Sequence, residues 1–291
     1  MWEKTSTLFH PVFAGSKMLK DILVILEDSD KAVTPYALSF ARRFESRLTV
    51  MRPRRDLSLL TDGSLEARYE YARGDREERE ARARQMLEDF GVRAKAAGVE
   101  AEVVEFDGPN NFRPGDVPQY ARCFDLVLVE QVEPGRPPDV SDLTGSILAE
   151  CGRPVIVVPG IQSEPARFER IVAGWDGSQA AARAIGDAAP LLERAERVEI
   201  VAVNGAGESQ LVVLSGERLA RRIARAGVEA SFRRIPGDGD PANILLSHAA
   251  DTSADMIVTG GYGHSRLREA ILGGVTRTLL GSMTVPVFLS R

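Results

Sequence analysis

Cysteine is almost missing from this sequence. Cys123 and Cys151 are the whole complement, too few for the disulfide framework of a secreted domain and without metal-ligand spacing. Histidine is as scarce: His10, His248 and His264 are scattered and form no zinc pattern. Basic residues are not in excess. The 37 Lys and Arg face 42 Asp and Glu, for a formal net charge of -5, so the electrostatic footprint of a nucleic-acid binder is lacking. The arginines between residues 76 and 84 alternate with glutamate and read as a solvated helix face. No apolar run approaches the length of a membrane span. Residues 1–17 lack the continuous apolar stretch of a signal peptide and read as an extension ahead of a natural start at Met18-Leu19-Lys20. These absences point to a cytoplasmic protein with no nucleic-acid or membrane partner and no bound metal.

What is present is an internal repeat. The chain has 291 residues, 44% hydrophobic and 27% charged, enough for two globular domains that each bury a core. The apolar run Asp21 to Leu26 leads into Glu27-Asp28-Ser29, and its counterpart Arg170 to Trp175 leads into Asp176-Gly177-Ser178. Ala-rich helical patterns follow over 33–44 and 180–192, then second strands at Leu48 to Met51 and Val198 to Val203. A long amphipathic helix over 66–97, with Met86, Leu87 and Phe90 on its apolar stripe, answers to a shorter one over 217–226. Third strands at 101–106 and 230–235, short helices at 117–122 and 241–250, and fourth strands opening on Asp125 and Asp255 complete the match. Fifth strands run over 153–158 and 285–289, and Gly160 to Pro165 is the linker. Alternation of this kind predicts α/β domains over 18–160 and 165–291, each an open parallel five-stranded sheet with helices on both faces. The apolar edges Val155 to Val157 and Val287 to Leu289 are suited to pairing, within the chain first and in a homodimer beyond that.

The most informative stretch runs from Ile257 to Leu280. An apolar strand ending in Thr259 enters Gly260-Gly261-Tyr262-Gly263, a glycine pair follows at Gly273-Gly274, and Val275-Thr276 open a helical pattern. Glycines let a backbone approach an anion, and the free N–H groups of a helix start point at it. No Lys-Ser/Thr follows the glycines, so this is not a Walker A loop, and its place after a fourth strand is wrong for the dinucleotide G-x-G-x-x-G. The spacing Gly260-x2-Gly263-x9-Gly273 resembles the ATP-binding signature of the universal stress protein family. The family usually has Ser or Thr after the third glycine, where this chain has Gly274.

That resemblance spans nearly the whole chain as a tandem pair and implies strand order 3-2-1-4-5 in each half. It implies ATP, alone or with Mg2+, as the ligand of the second half. Asp176 would contact the nucleoside and backbone groups at Val203 the adenine. Thr259, Gly260, Gly263, Gly273 and Gly274 would line the phosphates, with the Val275 and Thr276 N–H groups and the Thr276 hydroxyl at the helix start. The residues themselves leave alternatives open. Asp176 or Ser178 would cap the following helix in any case, a Val at 203 is what any buried strand has, and Thr276 is also an ordinary first-turn residue. Alternation turns Trp175 away from Asp176 and makes it a packed aromatic. Arg266 or His264 is available to balance phosphate charge, whereas Arg268 with Glu269 reads as a solvated face. The loop offers no metal carboxylate with a positioned base, so no catalytic residue is assigned and at most slow ATP hydrolysis is expected.

The first half departs from this pattern. Aligned on Asp125 and Asp255, Glu130 falls on Gly260 and Glu133 on Gly263. Aligned on Pro154 and Pro286, Ser141-Asp142 fall on Gly273-Gly274. The resulting expectation is a stress-response regulator with one nucleotide in its second half and unknown protein partners. The alternatives are a nucleotide-free interaction protein and an enzyme transferring adenylate or phosphate from an adenine nucleotide.

Overall fold

The computed structural model describes residues 19–27, 29–53, 65–104, 114–132, 143–204, 209–261 and 274–291, with backbone alone for 65–77, 79, 114 and 204. The first half runs β1 (Asp21–Ile25), α1 (Val33–Phe44), β2 (Arg47–Met51), α2 (Leu65–Ala96) and β3 (Ala101–Val104). A single 3-10 turn then leads to α3 (Val117–Ala121), β4 (Leu126–Glu130), α4 (Leu143–Glu150) and β5 (Val155–Val158). The second half runs β6 (Arg170–Gly174), α5 (Gln179–Asp187), α6 (Ala189–Leu192), β7 (Arg197–Asn204), α7 (Gln210–Ala224) and β8 (Glu229–Pro236). It closes with α8 (Pro241–Asp251), β9 (Met256–Gly260), α9 (Gly274–Ser282) and β10 (Val287–Ser290).

Two of these elements differ from the sequence expectation. The helix expected over 180–192 breaks into α5 and α6, because Pro190 cannot donate the backbone hydrogen bond that continuity needs. Helix α7 starts at Gln210, seven residues before the expected Glu217, on an N-cap at Ser209 whose hydroxyl accepts from Leu211 N–H at 3.2 Å.

The strands form one ten-stranded sheet in the order β3-β2-β1-β4-β5-β10-β9-β6-β7-β8. Each half thus has the order 3-2-1-4-5, and every pairing inside a half is parallel. The halves do not end as two separate open sheets. They join through antiparallel pairing of β5 with β10, Val157 opposite Val287 and Val155 opposite Leu289. This is the expected pairing of the two apolar edges within the chain. All six residues of that seam are buried. One outer edge, β8, carries Glu229, Arg233, Arg234 and Pro236, charges and a proline that discourage a further strand.

The repeat extends to individual hydrogen bonds. Asp125 Oδ2 accepts from the N–H groups of Lys20 and Asp21, and Asp255 Oδ2 accepts from those of Glu169 and Arg170, at 2.8–3.1 Å. Each fourth strand therefore fixes the entry of its own first strand with one carboxylate. On one face of the sheet α1 meets the segment that leads into β6. Phe40 and Phe44 meet Phe168 edge-on at 5.4 and 5.6 Å between ring centres, and the Arg194 guanidinium lies 4.2 Å above the Phe44 ring. Ser39 Oγ accepts from Ala166 N–H at 2.8 Å. On the other face α8 is held by Glu199 of β7, which contacts His248 Nε2 and accepts from Arg233 Nε at 2.6 Å. Burial pushes the Glu199 carboxyl up, but the hydrogen bonds from Arg233 and His248 outweigh it and leave the group below its ordinary range.

Two outcomes test this frame. Phe168→Ala removes a fully buried ring from the joint between the halves and should cost about 3–5 kcal/mol in urea unfolding of the full chain. The lowered Glu199 value means that its stabilisation is complete above the ordinary carboxylate range and fades as pH falls through it. Wild type should therefore be more stable than Glu199→Gln at neutral pH, and the difference should close below about pH 4. A gap that stays constant down to pH 3 would remove Glu199 from that account.

Candidate functional site

In a sheet of this order, ligands bind beyond the carboxyl ends of the strands, where the strand order reverses. In the second half that place lies between β6 and β9, which are neighbours with Ala173 beside Val258. Beyond the end of β6 the chain turns through Trp175-Asp176-Gly177. Trp175 is buried, and its indole N–H donates to Val212 O at 3.2 Å and Ser215 Oγ at 3.1 Å on α7. It is a packed aromatic, as alternation predicts. Gly177 has φ of +78°, a conformation side chains resist, which is why this turn takes glycine.

Asp176 is exposed, with Oδ1 accepting from Ser178 N–H at 2.8 Å, and Ser178 Oγ in turn accepts from Ala181 N–H at 3.1 Å. Capping of α5 thus belongs to Ser178, and Asp176 shapes the turn that leads into it. Val203 is half-buried near the end of β7, opposite Ile235 of β8. Thr259 is half-buried beside Gly174, where a Cβ would lie 3.3 Å from the Thr259 hydroxyl.

Gly260 has a packing reason of its own. A Cβ there would lie 2.5 Å from Ala181 N and 2.6 Å from the Ala180 carbonyl carbon, so α5 rests directly on this backbone. Gly261 N–H goes to Ser290 O at 2.8 Å and closes the end of the sheet. Gly263 and Gly273 lie outside the described residues, as do His264, Arg266 and Arg268. Helix α9 opens at Gly274, which is exposed, has open space where a Cβ would stand, and is not in the left-handed region. Val275 is exposed, whereas Thr276 is 6% exposed, so its side chain is packed into the protein. What this helix start presents outward is its backbone N–H groups.

Sequence reasoning missed a neighbouring groove. Trp175, Val212 and Ser215 with Leu211, Leu214 and Arg218 line a space of about 530 Å3 against the Asp176-Gly177 turn, and Leu211 and Leu214 are both more than half exposed. The signal was the Ser209 cap followed by Leu211 and Leu214 at helical spacing. Among the described residues no cluster of His, Cys, Asp or Glu could hold a metal ion, and no helix is long and apolar enough to cross a membrane.

The second half is a doubly wound α/β fold, the kind of sheet whose ligand sites lie at the switch point of strand order. Residues 167–291 match the family model described as the universal stress protein family, and this half of the chain belongs to that family. Stress response protein NhaX of Bacillus subtilis is 36% identical over 80 residues, 26% of this chain and 48% of that protein. Universal stress protein YxiE of the same organism is 35% identical over 75 residues, 26% of this chain and 49% of that one. The chain thus spans about half the length of these curated relatives. A universal stress protein crystal structure from Archaeoglobus fulgidus aligns over 94% of this chain and 97% of its own, with a TM-score of 0.72 at 18% identity. A putative universal stress protein from Pseudomonas aeruginosa covers 94% and 93% with a TM-score of 0.56 at 16% identity. At such identities these two structures show the fold, and they extend it to the first half.

The two glycines separate packing from ligand roles. Gly260→Ala should lower stability by about 1–3 kcal/mol, because its methyl meets helix backbone that cannot yield. Gly274→Ser should leave the unfolding midpoint nearly unchanged. Thermal unfolding of both variants checks the contrast, and a stable Gly260→Ala protein would show that α5 is free to move off β9.

Proposed function

We propose that the second half binds one ATP per chain and that the protein acts as a stress-response regulator, not as an enzyme. The observation that carries this reading is the opening of α9 at Gly274, directly after the third glycine of Gly260-x2-Gly263-x9-Gly273. A helix start following a glycine turn offers N–H donors and a favourable dipole to phosphate oxygens. Asp176, exposed past the end of β6, would accept from ribose hydroxyls or an exocyclic amine. Val203 stands one strand over for the adenine, and Thr259 and Gly260 form the floor. The burial of Thr276 shifts its part from hydroxyl to backbone N–H. Mg2+ would arrive with the nucleotide, since the described residues supply no carboxylate cluster for it. Residues 18–160 and 165–291 act as two domains in this reading, the first without a nucleotide. The stress role is drawn from the names of the matched relatives.

A second reading has a specific observation in its favour. The apolar groove beside α7, with Leu211 73% and Leu214 51% exposed, is a surface that an interaction protein would use without any nucleotide.

Calorimetric titration of nucleotide-free protein with ATP should saturate near one equivalent, and Gly263→Asp should take up none. Gly274→Ser adds a hydroxyl beside the phosphates and should tighten ATP by roughly tenfold or more, the worth of one charge-assisted hydrogen bond. A second equivalent of comparable affinity, or uptake that survives Gly263→Asp, would overturn the assignment.

A further inference from the structure

At the end of β4 the first half places Glu130 where the second half has Gly260. The equivalence is one of hydrogen bonding as well as alignment. Glu130 pairs with Val158 as Gly260 pairs with Ser290, and the next N–H, of Gln131 or Gly261, donates to that partner's carbonyl at 2.7 and 2.8 Å. At the first strands, Leu26 N–H reaches Met51 O as Trp175 N–H reaches Val201 O. Counting on from that match sets Ala32 against Ala181. In the second half the missing Cβ of Gly260 lets Ala180 and Ala181 rest on the strand. In the first half a full side chain rises from the same place, and its Oε2 accepts from the N–H groups of Ala32 and Val33 at 3.1 and 3.0 Å.

Helix α1 has no cap from its own N-cap side chain and no acidic residue in its first turn. Helix α5 caps itself through Ser178. Local Asp30 accepts from the Thr34 hydroxyl at 3.2 Å, but the carboxylate that accepts from the first backbone N–H groups of α1 comes from nearly 100 residues away, from a strand end. It lies where a helix dipole and unpaired N–H groups favour an anion.

We propose that Glu130 is a built-in plug: its carboxylate holds the start of α1 in place of any external anion and so keeps the first half permanently closed. The contact reaches further, because α1 also touches the segment that opens the second half. About three turns of one rigid element join the Glu130 contact to Ser39, Phe40 and Phe44, which meet Ala166 and Phe168. The first half is then a fixed support whose joint does not vary with ligand, and response to a ligand is left to the second half. The link to nucleotide rests on the proposed function; the plug itself does not, and it is tested without ATP.

Full-length wild type, Glu130→Ala and Glu130→Gln are compared by thermal unfolding and by amide exchange, with sodium formate against sodium chloride at equal ionic strength. Glu130→Ala should lower the midpoint by roughly 2–4 °C, the usual loss when a helix cap is removed from a protein of this size. Exchange should speed up at Ala32 and Val33 and not at Ala181. Formate, the smallest carboxylate, should recover part of that loss in Glu130→Ala and leave wild type unchanged. Glu130→Gln keeps the size without the charge, so it should lose less and gain nothing from formate. An unchanged midpoint with unchanged exchange at Ala32 and Val33 would overturn the proposal. So would formate acting equally on all three proteins, or on none while Ala32 and Val33 exchange faster. Failure of ATP to bind anywhere would sink the nucleotide reading and leave these results as they are.

Discussion

Val155, Ile156 and Val157 of β5 lie against Val287, Phe288 and Leu289 of β10 in antiparallel register, and none of the six is accessible to solvent beyond 2%. Each half on its own would end in an apolar strand with a row of unpaired N–H and C=O groups, the feature that drives edge-to-edge association. Pairing the two ends satisfies both rows at once and buries side chains worth roughly 1.5–3 kcal/mol each. It also sets orientation. Because the pairing is antiparallel, the strand ends that face a ligand in one half point opposite to those in the other. Beyond the seam, the halves also meet through α1, through Gln131 Nε2 donating to Leu280 O at 2.7 Å and through Arg291 Nη1 donating to Ala149 O at 2.9 Å.

The halves are alike where the backbone must be held and differ where a ligand would lie. Asp125 and Asp255 do the same work with the same atoms, each accepting two N–H groups at the entry of a first strand. The N–H groups at a strand's entry need such acceptors whatever the protein does, so these positions show the repeat and not the function. Five residues on, the likeness ends. Gly260 gives α5 direct contact with β9, and Glu130 reaches for α1 instead. One substitution changes how a helix meets a strand and what occupies the space between them. It also gives Glu130 a structural role, because its carboxylate is engaged by backbone donors.

The strand and helix order, the repeat and the position of the glycine turn were determined by the sequence itself. Buried parallel strands need continuous apolar runs, and turns need their own local chemistry, so both leave marks in consecutive residues. The fifth-strand edges were visible as apolar. The stretch 209–216 was only faintly legible, because Leu211 to Leu214 is a short apolar run that suits strand and helix alike and only the Ser209 cap marks the helix. Only the tertiary structure decided that the edges pair within the chain in antiparallel sense, that Gly260 is held by Ala180 and Ala181, that Thr276 turns inward, and that Glu130 caps a helix begun some hundred residues before it. The physical reason is the same in each case. These are contacts between groups far apart in sequence, selected by shape and by the need of buried donors for acceptors, and no local pattern of residues encodes which distant group will meet that need.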